Sequence, residues 1–307
     1  MKVLVTGGAG FIGSHVVDSL IERGDKVVVV DNLSTGSMRN TNLYARLYEL
    51  SVGDEKLAEV FERERPEIVS HHAAQIDLRK SVAEPVFDAE ENILGSLNVI
   101  LNSVRCGVKK FVYASSGGAV YGEPQYLPVD ESHPINPLSQ YGISKHTVEH
   151  YLHLYARQYG LNYVILRYSN IYGSRQNPYG EAGVVAIFAR QMLLGKRPTI
   201  FGQGEQTRDY THVSDVVRAN ILAMEWGENA TYNIGTGVET SVNQVFDILA
   251  EALGYEGSPV YAPAPQGEVQ RYCLAWGKAQ RELGWRPKLT LKEGILNTIE
   301  HFKALES

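Results

Sequence analysis

The sequence predicts an α/β fold built on a doubly wound parallel sheet, followed by a smaller C-terminal α/β part. Three observations carry that prediction. Short β-branched runs without polar alternation recur through the first half, as strands covered on both faces require. Segments with apolar residues at helical spacing separate them. A glycine cluster lies at the first strand-to-helix junction, the place where such folds bind ligands. The 307 residues suffice for two domains or one large α/β domain.

The elements follow in order. KVLVT (2–6) and KVVVVD (26–31) read as parallel strands, and FIGSHVVDSLIERG between them reads as a helix ending at Gly24. Together they make one strand-helix-strand unit. RLYEL then reads as a strand, EKLAEVFERE as a helix and EIVSHHA as a strand. A helix over roughly 86–106, the strand KFVYASS, a helix over 139–159 and the strand NYVILRYS continue the alternation. After Gly173 the rhythm breaks into Gly- and Pro-rich loops, a helix near 182–194, the stretch TRDYTHVSDVVRANILAM, and a tail with PAPQG and RELGWRP. Residues 1–173 are therefore expected to form the first domain. Residues 174–307 are expected to form a smaller substrate-binding part, with some segments folding back onto the first.

An apolar content of 44% and a charged content of 21% are those of an ordinary globular protein. A net charge of −6 and a pI near 5.9 argue against nucleic acid or anionic membranes as partners, because phosphate binding needs a basic surface. The N-terminus runs straight into a strand, where a signal peptide would carry a longer apolar region, and no stretch approaches a membrane span. Cys106 and Cys273 lie far apart, without Cys-x-x-Cys or zinc spacing. Free thiols in a reducing cytoplasm, and no metal, are the expectation. Two glycosylation-like triplets, at Asn32 and Asn229, carry no meaning in that compartment.

Thr6-Gly7-Gly8-Ala9-Gly10-Phe11-Ile12-Gly13 has the spacing of a Rossmann-type dinucleotide fingerprint. Gly7 permits the tight turn, Gly10 lets backbone amides approach the pyrophosphate, and Gly13 lets the helix pack close. The helix N-terminus adds a partial positive charge. Asp31 ends the second strand, where a carboxylate accepts from ribose hydroxyls and repels a 2′-phosphate, favouring NAD over NADP.

Tyr141 and Lys145 stand four residues apart, on one helix face. With 18 tyrosines, about one such pair is expected by chance, so the spacing alone is equally a surface accident. Downstream of the glycine loop it gains meaning. A neighbouring ammonium and a cationic nicotinamide could lower a phenol from about 10 by about three units, making Tyr141 a general base.

TGGAGFIG, DNLSTG, YASSGGAVYGE, YGISK, LRYSNIYG, RDYTHVSDVV and RELGW together resemble the extended short-chain dehydrogenase/reductase family, most of all its UDP-glucose 4-epimerases. The similarity runs from residue 1 to about 290. The resemblance implies a bound NAD that takes hydride from C4 of a UDP-sugar and returns it to the other face, with Tyr141 handling the 4-hydroxyl proton. Lys145 would hold the nicotinamide ribose. Phe11, Ile12, Asn32, Ser34, Thr35 and Gly36 would join the glycines and Asp31 in binding the cofactor. By the same resemblance Asp54 would contact the adenine, Ala73 and Ala74 would line the cofactor, Asn92 would lie beneath it, and Tyr168 would border it. Asn170 and Val184 would meet the sugar nucleotide, and a homodimer would form through the helices near 86–106 and 139–159.

Two places depart from the family pattern. The family's hydroxyl three residues before the Val of VYG falls on Gly117, whereas counting forward along FVYASS gives Ser116. The family's late arginine is replaced within Pro265-Gln266-Gly267-Glu268, leaving Arg208 and Arg271 for the diphosphate. Gly118 and Ala119 stand where a 4,6-dehydratase would need an Asp-Glu pair. The competing readings are a nucleotide-sugar reductase or dehydrogenase, an epimerase of a hexosamine or uronic acid, and a non-catalytic NAD-binding sensor. His71 and His72, without metal partners in sequence, read as strand-end residues.

Overall fold

The computed structural model describes residues 1–179, 183–264 and 269–306. Seven parallel strands form one sheet: Lys2–Thr6, Lys26–Asp31, Arg46–Glu49, Ile68–His71, Lys110–Ser116, Asn162–Tyr168 and Ala230–Ile234. Counted along the chain, their spatial order is 7-6-5-4-1-2-3. The order reverses beside the first strand, which makes the carboxyl end of that strand the topological switch point.

Alternate residues of each strand feed two cores. Val3, Val5, Val27 and Val29 face one side, packed with Val16, Val17 and Leu20 of helix Phe11–Glu22 and with Val216, Ala219 and Ala223 of helix Val213–Glu225. Leu4, Val28 and Val30 face the other, against helices Leu57–Glu64, Gly95–Arg105 and Gln140–Tyr159. Covering on both faces is why these strands carry no polar alternation. The seventh strand comes from the second half of the chain and pairs with Asn162–Tyr168. A third core packs helices Val184–Leu193, Val242–Leu253 and Leu291–Glu306 together.

Ser139 caps helix Gln140–Tyr159 by accepting from the Gly142 amide (3.1 Å), and Gly160 ends it in the left-handed conformation. The helix expected over 86–106 differs: Pro85–Ala89 and Gly95–Arg105 are joined by one turn of π-helix, Glu90–Leu94. There the Asn92 side chain turns inward to clasp Gln75, accepting from its amide and donating to its carbonyl, each at 2.9 Å. The helix expected near 182–194 begins at Val184, and residue 182 lies outside the described residues. Among the described residues, no helix is long and apolar enough to cross a membrane, and no cluster of His, Cys, Asp or Glu is placed to hold a metal ion.

Candidate active site

A cleft opens at the carboxyl ends of the strands. Gly7, Gly10, Phe11, Ile12 and Gly13 line it, with Asp31, Asn32, Ser34 and Thr35 beyond the second strand. Gly7 has φ +67°. A Cβ there would lie 2.7 Å from the Ala73 backbone nitrogen, and one at Gly13 would fall on the Gly7 carbonyl oxygen. The loop is therefore a cradle of bare backbone. Helix Phe11–Glu22 starts with no side-chain cap, so its first amides suit an anion such as a pyrophosphate. Asp31 accepts from the Ala9 amide (2.9 Å) and the Leu33 amide (2.8 Å), tying the loop to the strand end. Its remaining lone pairs suit ribose hydroxyls. These residues fit a dinucleotide.

Tyr141 and Lys145 line the same cleft, on the far side of the first strand. The Lys145 ammonium is buried, donates to the Ala114 carbonyl (3.0 Å) and lies 5.7 Å from the Tyr141 ring centre. Burial lowers Lys145 to about 8, against the opposing charges of Asp88 and Glu149. Tyr141 runs contrary to expectation. Burial raises its phenol above the ordinary value, the Asp88 charge adds to that, and a hydrogen bond with Ser116 opposes both. Lys145 is directed at Ala114 and at the Tyr113 ring, 5.0 Å away, and its charge does not offset the rise of the phenol.

Of the two positions the loop offered, Ser116 stands near enough to Tyr141 to favour its ionised form. Strand Lys110–Ser116 ends on that serine, and a short helix, Gly117–Val120, follows. A Cβ at Gly117 would lie 2.8 Å from both the Tyr272 hydroxyl and Leu274 Cδ1, so a larger side chain there would require those two to shift.

Ala73, Ala74 and Tyr168 also line the cleft, whereas Gly36, Asp54 and Asn92 do not. Gly36 packs beside Asp31, Asp54 accepts from the Lys56 amide (2.8 Å), and the buried Asn92 clasps Gln75. Asn170, Val184, Arg208 and Arg271 stand on other elements. Asn170 opens strand Asn170–Tyr172, and its backbone N–H donates to the Asp209 backbone carbonyl (2.9 Å). Val184 starts helix Val184–Leu193. Arg208 donates to the Thr207 carbonyl (2.8 Å), and Arg271 binds Glu239 through two hydrogen bonds, at 2.9 and 2.5 Å. The segment 265–268, singled out for its missing arginine, lies outside the described residues.

The sequence reading missed several lining residues, among them Val30, Leu50, Val52, His72, Ile76, Glu91, Ala114 and Ser115. Most end a strand or follow one, and a scan of strand carboxyl ends would have found them. His71 is buried between Thr6 (2.6 Å) and Ser96 (2.9 Å). His72 differs in reaching the cleft, with burial and then the Lys145 charge holding it at about 3.

Comparison with known proteins agrees with this geometry. A family model described as NAD dependent epimerase/dehydratase family matches residues 3–235. A putative UDP-glucose 4-epimerase of Methanocaldococcus jannaschii is 51% identical over 98% of both chains. The crystal structure of a Thermotoga maritima UDP-glucose 4-epimerase with UDP-glucose superposes with TM-score 0.99, at 53% identity and full coverage of both chains. A Thermus thermophilus UDP-glucose 4-epimerase in complex with NAD gives TM-score 0.94, at 44% identity and 99% coverage of each.

Proposed function

Because the chain belongs to the NAD dependent epimerase/dehydratase family, we propose that it is a UDP-glucose 4-epimerase, interconverting UDP-galactose and UDP-glucose through a transient 4-keto sugar. The observation that carries this reading is that Tyr141 and Lys145 line the same cleft as the glycine cradle. Bound in that cleft, NAD supplies the acceptor and the donor of hydride.

The chain's own residues do the rest. Gly7, Gly10 and Gly13 leave backbone amides open to the diphosphate, and Asp31 holds the adenosine ribose. Lys145 holds the nicotinamide ribose and keeps a positive charge beside the reacting oxygens. Tyr141 accepts the sugar's 4-hydroxyl proton and gives it back, a service that general acid–base groups supply at about 10²–10⁴-fold. Its raised phenol needs further positive charge, which an oxidised nicotinamide brings. Ser116 steadies the oxygen during transfer. Arg208 and Arg271 counter the UDP charge, with Asn170 and Val184 at the sugar nucleotide.

The enzyme acts in galactose metabolism, in the cytoplasm, as a homodimer. Leu101 on helix Gly95–Arg105, and Ile143 and Leu154 on helix Gln140–Tyr159, are 37%, 52% and 42% exposed, an apolar surface of the kind an interface covers. The purified protein, given UDP-galactose and no added NAD, is expected to form UDP-glucose and to sediment at twice 34.1 kDa. A requirement for stoichiometric added cofactor would instead identify a reductase or dehydrogenase.

A further inference from the structure

Asp88 is fully buried at the end of helix Pro85–Ala89, without contact to the cleft. Three neutral side chains donate to it: Ser144 at 2.7 Å on one oxygen, Asn92 at 2.9 Å and Gln75 at 3.1 Å on the other. Ser144 lies between Tyr141 and Lys145 on their helix. Gln75 lies between Ala74 and Ile76, which line the cofactor cleft. Asn92 forms the π-turn and holds Gln75 by its backbone. One carboxylate thus joins the helix bearing the proton-transfer pair to the loop bordering the cofactor.

A buried carboxylate is costly unless hydrogen bonds or a counter-charge offset it. Here three donors hold it, and the nearby ammonium of Lys145 feels its charge. We propose that Asp88 is the positioning residue of the Tyr141–Lys145 pair, setting the helix against the cofactor loop and supplying the fixed negative charge that both groups face. This rests on the epimerase reading.

The electrostatic direction supports the geometry. Asp88 raises both Tyr141 and Lys145. The other titratable or charged groups around the pair are Glu149 on the same helix, Tyr113 on the neighbouring strand, His71 and His72 at the end of the next, and Glu91 in the cleft. Helix Leu78–Ala83, packed on the same helix, brings Arg79 and Lys80. Catalysis needs Tyr141 ionised and Lys145 protonated, so the two titrations together set the rising and falling limbs of the rate's pH profile. Removing the Asp88 charge lowers both.

Asp88→Asn keeps the shape, and its amide can pair with Ser144 and Asn92 after the hydroxyl turns round. In that variant both limbs of the kcat–pH profile are expected to move to lower pH by about one unit, with NAD retained. Unmoved limbs would overturn the proposal, whatever the turnover. Should Asp88→Asn not fold, Ser144→Ala decides: it keeps the charge and removes the tie, so kcat should fall at least about threefold with unshifted limbs. Unchanged kcat there would overturn it. Tyr141→Phe separates the two readings, because an active Tyr141→Phe refutes the base itself, whereas unshifted limbs beside a dead Tyr141→Phe refute only Asp88.

Discussion

Ser116 ends strand Lys110–Ser116, at the loop where sequence counting gave two answers for the family's hydroxyl. Its hydroxyl favours the ionised Tyr141 phenol, an influence that matters most while the oxygen carries charge. Ser116→Ala is expected to lower kcat and kcat/KM together by about tenfold, the worth of one hydrogen bond to a charged group, with NAD still bound. Equal wild-type and variant rates would show that the serine serves only to end its strand. The glycines were legible in sequence because their demand is local: a positive φ at Gly7, a close approach at Gly13. The direction of the Tyr141 titration was not. It depends on Asp88, 53 positions earlier in the chain, and on where Lys145 points.

At the scale of elements, helix Gln140–Tyr159 is fastened to the sheet by a buried ion pair. Arg167 binds Glu149 through two nitrogens, at 2.9 and 2.5 Å, and Ser115 and His146 also bond that carboxylate. Burial would raise Glu149, but Arg167, His146 and Ser115 hold it at about 2. Arg167→Met leaves the buried carboxylate without its guanidinium, which costs about 3–5 kcal/mol; denaturant unfolding at neutral pH should register that loss. Because the folded value lies below the ordinary 4.5, the pair stabilises the fold above about 4.5 and the benefit disappears as pH falls toward about 2. The gap between wild type and variant should narrow over that window, and a constant gap would contradict the account. This helix was legible over 139–159 as one unit of the strand-helix alternation, and its serine cap and closing glycine emerge from the structure. The π-turn was not, since it arises from Asn92 reaching across to Gln75.

At the scale of the molecule, the sheet divides the labour. Its carboxyl edge carries the glycine loop and the Tyr141–Lys145 pair, while the second half of the chain supplies the seventh strand and, on other elements, Arg208 and Arg271. The buried Asp209 joins those later segments, accepting from the Thr236 amide (2.8 Å) and hydroxyl (2.6 Å), the Gly237 amide (3.0 Å) and the Leu274 amide (3.1 Å). The elements flanking Arg208, Glu239 and Arg271 thereby share one anchor. Strand and helix alternation made the first half readable from period alone, because each unit is complete within about thirty residues. The later half depends on contacts 27 to 65 residues apart, which no local pattern records.

The central claim is that Tyr141 moves the sugar's proton beside a cofactor that never leaves. Its most direct test is the turnover of UDP-galactose by Tyr141→Phe, purified next to the wild type and assayed without added NAD. Turnover is expected to fall several hundredfold or more, while the bound NAD per chain stays that of the wild type. Near-normal turnover with NAD in place would contradict the assignment.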